Sequence, residues 1–360
     1  MFEHLDDQRP FVPDAEFRAG VMTSGRRRRR VRRLAVAAVS AGTAVMLVVA
    51  AVAAYGAWQV THINRLQVGS GTLHAVPSAT APFNVLIAGV DRPAPPVVQG
   101  TRSDTIIVAR IDPQAHRVTL LSIPRDLWTT IPGVGHEDRI NSAFDTGGPA
   151  LLARTVEQAL GIPINHIVVV DMAGLPALVD ALGGVAVQVD APLRDDYSGL
   201  DLPTAGCQTL DGSEVLALVR SRHLQLFRDG QWQYDPTSDL GRQLRVEVVL
   251  QDLGDKARHA GADPLTLAQL VQEFVDHVTV DSSLSTGEII DIAHMLLQAG
   301  PGALQTAVLP VEASVNSAGD VLVTTAATAP AIRDFLAGTT VAPPPAAAGI
   351  SAPSTTGCHN

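Results

Sequence analysis

Residues 26–33 read RRRRRVRR, and from Leu34 to Ala57 the chain continues LAVAAVSAGTAVMLVVAAVAAYGA, 24 residues without a charge. A run of about 20 apolar residues is long enough to cross a bilayer as a helix. Tyr55 and Trp58 stand at its far end, where an interfacial aromatic belt is expected. The arginine block then stays on the cytoplasmic side, and everything after about residue 60 lies outside. A cleaved secretory leader is the competing reading, with a small-residue site around Ala51–Ala54, but its apolar core would be shorter. The expected layout is therefore a cytoplasmic basic tail (1–33), a transmembrane helix (34–57) and a polar stalk (58–82), followed by an extracytoplasmic body.

The body is long enough for one or two cored domains in a chain of 360 residues. The hydrophobic fraction of 46% and the mean hydropathy of +0.19 are high for a wholly soluble protein, and the first sixty residues account for part of that. A formal net charge of −10 argues against a general nucleic-acid binder. Lys256 is the only lysine, so nearly all positive charge is arginine; with heavy Ala and Val usage this points to a high-GC bacterial coding sequence. The two cysteines, Cys207 and Cys358, could form one disulfide outside the cytoplasm and fasten the tail to the body. Two free thiols are the alternative.

Beyond residue 82, strands and helices alternate, which signals a layered α/β domain. PFNVLIAGVD (82–91) reads as an apolar strand. DTIIVARID (104–112) and RVTLLSIP (117–124) flank a Pro113-Gln114-Ala115 turn and predict an antiparallel hairpin. GPALLARTVEQAL (148–160) has helical spacing and stops at Gly161. A strand (164–171), a helix (175–182) and another strand (185–190) follow. Helices are expected at 213–220, 238–257, 265–278 and 284–299, with short strands around 305–309 and 320–324 returning to the sheet edge. The Pro/Ala-rich end, 339–360, reads as a flexible tail.

Several of these apolar elements end in the same two residue types. The first strand ends in Asp91, the second opens with Thr101-Arg102-Ser103-Asp104, and the third ends in Arg125-Asp126. The helix 213–219 runs into Arg220-Ser221-Arg222. In extended backbone, residues two apart face the same way, so Arg220 and Arg222 can grip one anion together. Asp239, Arg242 and Arg245 are three apart on a predicted helix and so share a face. Guanidinium forks suit phosphate oxygens, while carboxylates such as Asp91 and Asp104 suit a hard cation completed by phosphates. Together they describe a pyrophosphate site. Arginines solvated or paired locally with carboxylates are the plain alternative for any one of them. No nucleophile elbow, phosphate-binding loop, dinucleotide fingerprint or zinc-protease motif is present.

In this order the pieces resemble the LytR–CpsA–Psr family of cell-envelope phosphotransferases. The resemblance rests on NVLIAGVD (84–91), TRSDTIIVARID (101–112), LLSIPRDLWTTIPGVGHEDRINSAF (120–144), residues 147–189 and LDGSEVLALVRSRH (210–223), with DLGRQLR (239–245) as a closing Asp-Arg-Arg pattern. It covers residues 83–255 as a catalytic domain, with 256–338 its helical and short-strand continuation. It implies a central mixed β-sheet flanked by helices, with an apolar groove for a polyprenyl chain supplied by the uncharged helices after 145, whose residues would serve equally as ordinary core. The implied activity transfers a glycopolymer, with one phosphate, from polyprenyl pyrophosphate to peptidoglycan, releasing polyprenyl phosphate.

By the same resemblance, Asp91 and Asp104 would hold Mg²⁺ (or Mn²⁺). Arg102, Arg125, Arg220, Arg222, Arg242 and Arg245 would line the pyrophosphate. Arg125, Asp126 and Asp104 would form the catalytic group, Asp126 either orienting Arg125 or helping to deprotonate the acceptor hydroxyl. With high-GC, actinobacterial-like usage, arabinogalactan or a capsule-like polymer is the expected cargo.

Two departures stand out: Val246-Glu247 follow Arg245 where relatives commonly carry glutamines, leaving Gln243 as a candidate substitute. The stretch 223–238, with Phe227, Trp232 and Tyr234, is long and reads either as a lid or as a surface loop. A polyprenyl-pyrophosphate hydrolase and a non-catalytic envelope regulator or lipid-binding module are the competing functions.

Overall fold

The structure, a computed structural model, describes residues 61–91, 103–260, 264–298, 300, 302–339 and 348–352. The basic block and the expected transmembrane helix lie outside these residues. Among the described residues, no helix is long and apolar enough to cross a membrane.

The central sheet has seven strands: β1 (Asn64–Leu66), β2 (Phe83–Val90), β3 (Ser103–Asp112), β4 (Arg117–Ile123), β5 (His166–Asp171), β6 (Val278–Asp281) and β7 (Leu304–Val308). Their spatial order is β1-β6-β5-β2-β3-β4-β7. The sheet is mixed: β1/β6, β2/β5 and β4/β7 run parallel, and β5/β6, β2/β3 and β3/β4 antiparallel. The helices are α1 (Ser142–Leu160), α2 (Leu175–Ala181), α3 (Gly212–Arg220), α4 (Ser238–Ala260), α5 (Pro264–His277), α6 (Thr286–Gln298) and α7 (Thr328–Ala337).

The middle strands are apolar on both faces, as a sheet covered on both sides requires. Leu86, Ala88, Ile106, Val108, Leu121 and Ile123 share one face by register and pack with Leu152 and Val156 of α1 and Phe335 of α7. Val85, Ile107, Ala109, Val118 and Leu120 point the other way, toward Ile292 and Met295 of α6 and Leu250 of α4. A second core joins α2, α3 and α4 to two small sheets. One is three-stranded (206–210, 185–189, 350–351), and the other is four-stranded (200–202, 193–195, 225–228, 231–234).

Several expectations are met. The β3–β4 hairpin closes at Asp112↔Arg117, and α1 ends at Gly161 in the left-handed conformation (φ 67°). The helical backbone of α1 is broken at Gly147 and Gly148, so its regular part starts beside Pro149.

Others are corrected. The stalk 58–82 contributes β1 to the sheet edge, and His74 N–H donates to the Ile164 carbonyl (2.9 Å). The residues after His277 form β6 rather than a helix end, because VTVD alternates and completes the sheet between β1 and β5. The strand at 319–324 pairs with 311–316 in a separate ribbon and does not join the central sheet. Within the expected flexible tail, Ile350–Ser351 pair with 188–189. The apolar residues of α1, expected to line a lipid groove, are core against the sheet.

Asp281, fully buried at the end of β6, ties that strand to the start of β5. It accepts from the Ile167 N–H (2.9 Å) and from Ser283 Oγ, and meets His166 Nδ1 at 3.2 Å. Burial alone would push its carboxyl up, but these hydrogen bonds, that from His166 first, hold it down at about 2. A carboxyl depressed in the folded state stabilises above its unfolded value and loses that stabilisation as pH falls through the folded one. Asp281 is therefore expected to contribute about 2 kcal/mol at neutral pH. Asp281→Asn should lower the neutral-pH melting temperature and flatten its fall between pH 4 and pH 2, which acid-titrated thermal melts would read.

Candidate active site

The strand pairing sets where the charges meet. Ile106 of β3 lies opposite Ile123 of β4, two residues from Asp104 on one side and two from Arg125 on the other. Pro124 cannot extend the ladder, so the chain leaves the sheet and presents Arg125 there. On the opposite flank, Val90 of β2 pairs with Ser103 across a register shift, and Asp91 follows at the same end of the sheet. Ser103 Oγ holds this irregular edge by donating to the Gly89 (3.3 Å) and Thr105 (2.8 Å) carbonyls.

Asp104 is the hub. Its Oδ1 accepts from Arg125 Nη1 at 2.6 Å, its Oδ2 lies 3.0 Å from Arg222 Nη2, and its carbonyl accepts from Arg242 Nη2 at 2.8 Å. Three guanidiniums, from the end of β4, the exit of α3 and the first turns of α4, thus converge on one residue. Asp91 holds a fourth, Arg220, which places Nη2 at 2.8 Å and Nε at 3.3 Å from Oδ1. Asp126 sits between Arg125 Nε (3.5 Å) and Arg139 Nε (3.4 Å). Arg139 also donates to the carbonyls of Ala318 and Asp320, both at 3.0 Å.

The bend carrying Arg220 and Arg222 is braced from beneath. Asp195 Oδ2 accepts from Ser221 Oγ (2.7 Å) and from the N–H groups of Arg222 (2.9 Å) and His223 (2.8 Å). Burial would raise the Asp195 carboxyl, but these bonds, with those from Tyr197 and Ser198, hold it below the ordinary range. Arg245 donates to the Ser221 carbonyl (2.7 Å) and to Asp235 Oδ2 (3.0 Å). Gly241 permits this approach: a Cβ there would lie 2.4 Å from Asp235 Oδ2 and 2.2 Å from Thr237 Oγ1.

The candidates of the sequence therefore separate. Asp91, Asp104, Arg125, Asp126, Arg220, Arg222 and Arg242 belong to one cluster. Arg245 does not face it: the side chain is fully buried, and desolvation lowers its affinity for the proton despite the pairing with Asp235. Its place is under the bend. Arg102 and Cys358 lie outside the described residues, as does the side chain of Asp239. Cys207 is disulfide-bonded. Sequence reasoning did not single out Arg139, Asp195 or Asp235. Arg139 follows a carboxylate in a short hairpin (128–130 with 137–139), and nothing in its local pattern marks it.

Beside Asp104 a cleft opens between β3, β4 and α4, lined by Thr105, Ile106, Ser122, Ile123, Arg242, Gln243 and Val246. Gln243 and Val246 both face it, so the glutamine is in reach of the place where Val246 stands. Glu247, one residue on and fully buried, accepts from Ser122 Oγ. Desolvation pushes its carboxyl up to about 7. Two carboxylates delivered by adjacent strands, Asp91 and Asp104, suit Mg²⁺, which takes one or two carboxylates and completes its shell with phosphate and water. Among the described residues no group of three or more such ligands occurs.

Residues 56–335 match the model of the LytR_cpsA_psr family, and the chain belongs to that family. It is 40% identical over 175 residues to a polyisoprenyl-teichoic acid–peptidoglycan teichoic acid transferase of Enterococcus faecalis, covering 49% of this chain and 54% of the relative. It is 46% identical over 121 residues to a probable cell wall biosynthesis protein of Corynebacterium glutamicum, covering 34% of this chain and 28% of the relative. The matches thus span about half, or less, of these relatives' length. A LytR-Csp2A-Psr enzyme from Actinomyces oris superposes with a TM-score of 0.64 at 28% identity, over 76% of this chain and 95% of that one.

A group raised in the folded state stabilises fully below its unfolded value and loses that contribution as pH rises through the folded one. Burial of Glu247 should therefore make the protein lose on the order of 3 kcal/mol between about pH 4.5 and pH 7 relative to a neutral isostere. Glu247→Gln is expected to match wild type at pH 5 and to melt higher at pH 8. Equal melting differences at both values would show that Glu247 does not titrate in this range.

Proposed function

We propose that the chain is a membrane-anchored phosphotransferase, its catalytic part extracytoplasmic. It moves a glycopolymer from a polyprenyl-pyrophosphate carrier to peptidoglycan through a phosphodiester and releases polyprenyl phosphate. The observation that supports this best is the convergence of Arg125, Arg222 and Arg242 on Asp104, with Arg220 on Asp91 beside it. Guanidinium forks from separate rigid elements suit the several oxygens of a pyrophosphate.

In the reaction, an acceptor hydroxyl attacks the phosphorus that bears the glycan. The bond to the bridging oxygen breaks, and the electron pair leaves with polyprenyl phosphate. Little covalent work falls to the protein; positioning and charge neutralisation carry the rate. Arg125, anchored at the end of β4, and Arg222, on the braced bend, would release Asp104 and grip the phosphates. Asp126, held between Arg125 and Arg139, fits the orienting role. Asp91 and Asp104, freed by that exchange, would hold Mg²⁺, which neutralises charge on the departing phosphate when bound. Ile106, Ile123 and Val246 give the small cleft beside Asp104 an apolar wall.

The full-length protein in detergent micelles, given a polyprenyl-pyrophosphate glycan, Mg²⁺ and peptidoglycan fragments, should yield linked product and polyprenyl phosphate by mass spectrometry. Arg125→Ala and Asp104→Asn should each reduce turnover about 10²–10³-fold, the loss typical of removing one charge-stabilising group, and chelation should abolish it. Polyprenyl phosphate without linked product would point instead to a hydrolase. Tight binding without turnover would make the chain a lipid-binding module.

A further inference from the structure

The four-stranded sheet beside the arginine bend has two unlike faces. Register places Asp201 opposite Arg194, Arg194 opposite Gln225, Gln225 opposite Tyr234 and Phe227 opposite Trp232, all on one side. The alternate residues Leu193, Leu202 and Leu226 are buried in the second core. The outer side is therefore a row of three aromatic rings bordered by a carboxylate, a guanidinium and an amide. Some of its parts support one another: Arg194 stacks 4.1 Å above the Trp232 ring and donates through Nε to Gln225 Oε1 (2.8 Å), and Phe227 leans on Trp232 at 5.3 Å with the two rings tilted by 60°. Yet Phe227 stays 40% and Tyr234 66% exposed. A third exposed ring, Tyr197 (83%), stacks on His223 at 4.4 Å.

Exposed aromatic rings grouped on one face, with Phe227 and Trp232 in mutual contact, mark a surface suited to a partner. Their electron-rich faces suit the C–H face of a pyranose, and planar polar side chains at their edge suit its hydroxyls. A polyprenyl chain would want an apolar surface throughout, and this one alternates rings with charge and amide. Position narrows the choice further. The strand begins at Gln225, three residues after Arg222, so the two backbones lie at most about 11 Å apart. Tyr197 rests on His223, the next residue after Arg222, and Asp195, which ends strand 193–195 of this sheet with its side chain on the Leu193 side, accepts from the N–H groups of both Arg222 and His223.

We infer that this aromatic face binds the sugars joined directly to the pyrophosphate of the lipid-linked donor. The inference rests on the pyrophosphate reading above and adds to it the surface that reads the glycan. The bend would hold the phosphates while strand 225–228, which continues the chain from it, presents Gln225 and Phe227 to the adjoining rings. Specificity for the glycan then belongs to the hairpin 225–234, separate from the charge cluster that serves any pyrophosphate.

The test compares two probes on the full-length protein in detergent micelles. One is polyprenyl pyrophosphate bearing an N-acetylhexosamine disaccharide, and the other is the same lipid without sugar. Wild type is expected to bind the sugar-bearing lipid more tightly. F227S/Y234S, and separately Tyr197→Ser, should lose about tenfold in affinity for it, as truncation of an anchoring aromatic does. Both should keep wild-type affinity for the bare lipid and the wild-type melting temperature. Equal wild-type affinity for the two lipids would overturn the inference while leaving the pyrophosphate reading standing. So would a loss of affinity for both lipids alike in the variants, which would mark the face as a lipid or membrane contact. If wild type binds neither lipid, the pyrophosphate reading itself fails and the inference falls with it.

Discussion

Asp104 is the point on which the charged end of this molecule depends. Two of its acceptors take guanidiniums from Arg125 and Arg222, and its carbonyl takes a third from Arg242. Like charges about 4 Å apart near a protein surface repel by roughly 4 kcal/mol. Arginines from three elements can gather there only because carboxylates stand among them. The proposed pyrophosphate would offer the same arginines as many charged oxygens as Asp104 and Asp91 together. The carboxylates thus organise the cluster and hold it in shape; in the proposed reaction a phosphate would replace them and leave them free for a cation.

Holding the arginines is a matter of the layer beneath. Strand β4 fixes Arg125 because it is central, apolar on both faces and terminated by Pro124. The bend 220–223 has no such strand, and two buried ions serve instead: Asp195 from one side and Arg245, paired with Asp235, from the other. Removing one member of such a pair is far more damaging than the pair is stabilising, because it leaves a buried charge alone. That asymmetry suits a brace, since it penalises any arrangement in which Ser221 drifts from its place.

The regular elements were legible because their residues repeat with the period of the structure they form. VTLLSI and TIIVARI announce covered strands, and GPALLARTVEQAL a helix closed by Gly161. The charge cluster was legible as well, because its members sit at the ends of those elements. Arg245 shows where that logic stops. Spacing of three puts Arg242 and Arg245 on neighbouring parts of one helix face, but residues 241–247 of α4 are all buried. Arg242 reaches forward to β3, whereas Arg245, nearly a turn on, finds Asp235 and the Ser221 carbonyl. Which neighbour a buried arginine meets is decided by the packing of distant segments, and no local pattern records it. Asp195 and Asp235 escaped for the same reason, each acting on residues ten or more positions away.

The departure at Val246-Glu247 illustrates how one substitution redistributes roles along a helix. Positions 243 and 247 are one turn apart and face the sheet together. Gln243 reaches the cleft, and Glu247 reaches Ser122. Val246 between them adds an apolar patch to the cleft wall next to Ile106 and Ile123. A glutamine at that position would bring an amide to the same wall and need a partner there. With valine, the wall near Asp104 needs no such partner. The polar and the apolar parts of the cleft wall are thus supplied by different residues of the same turn.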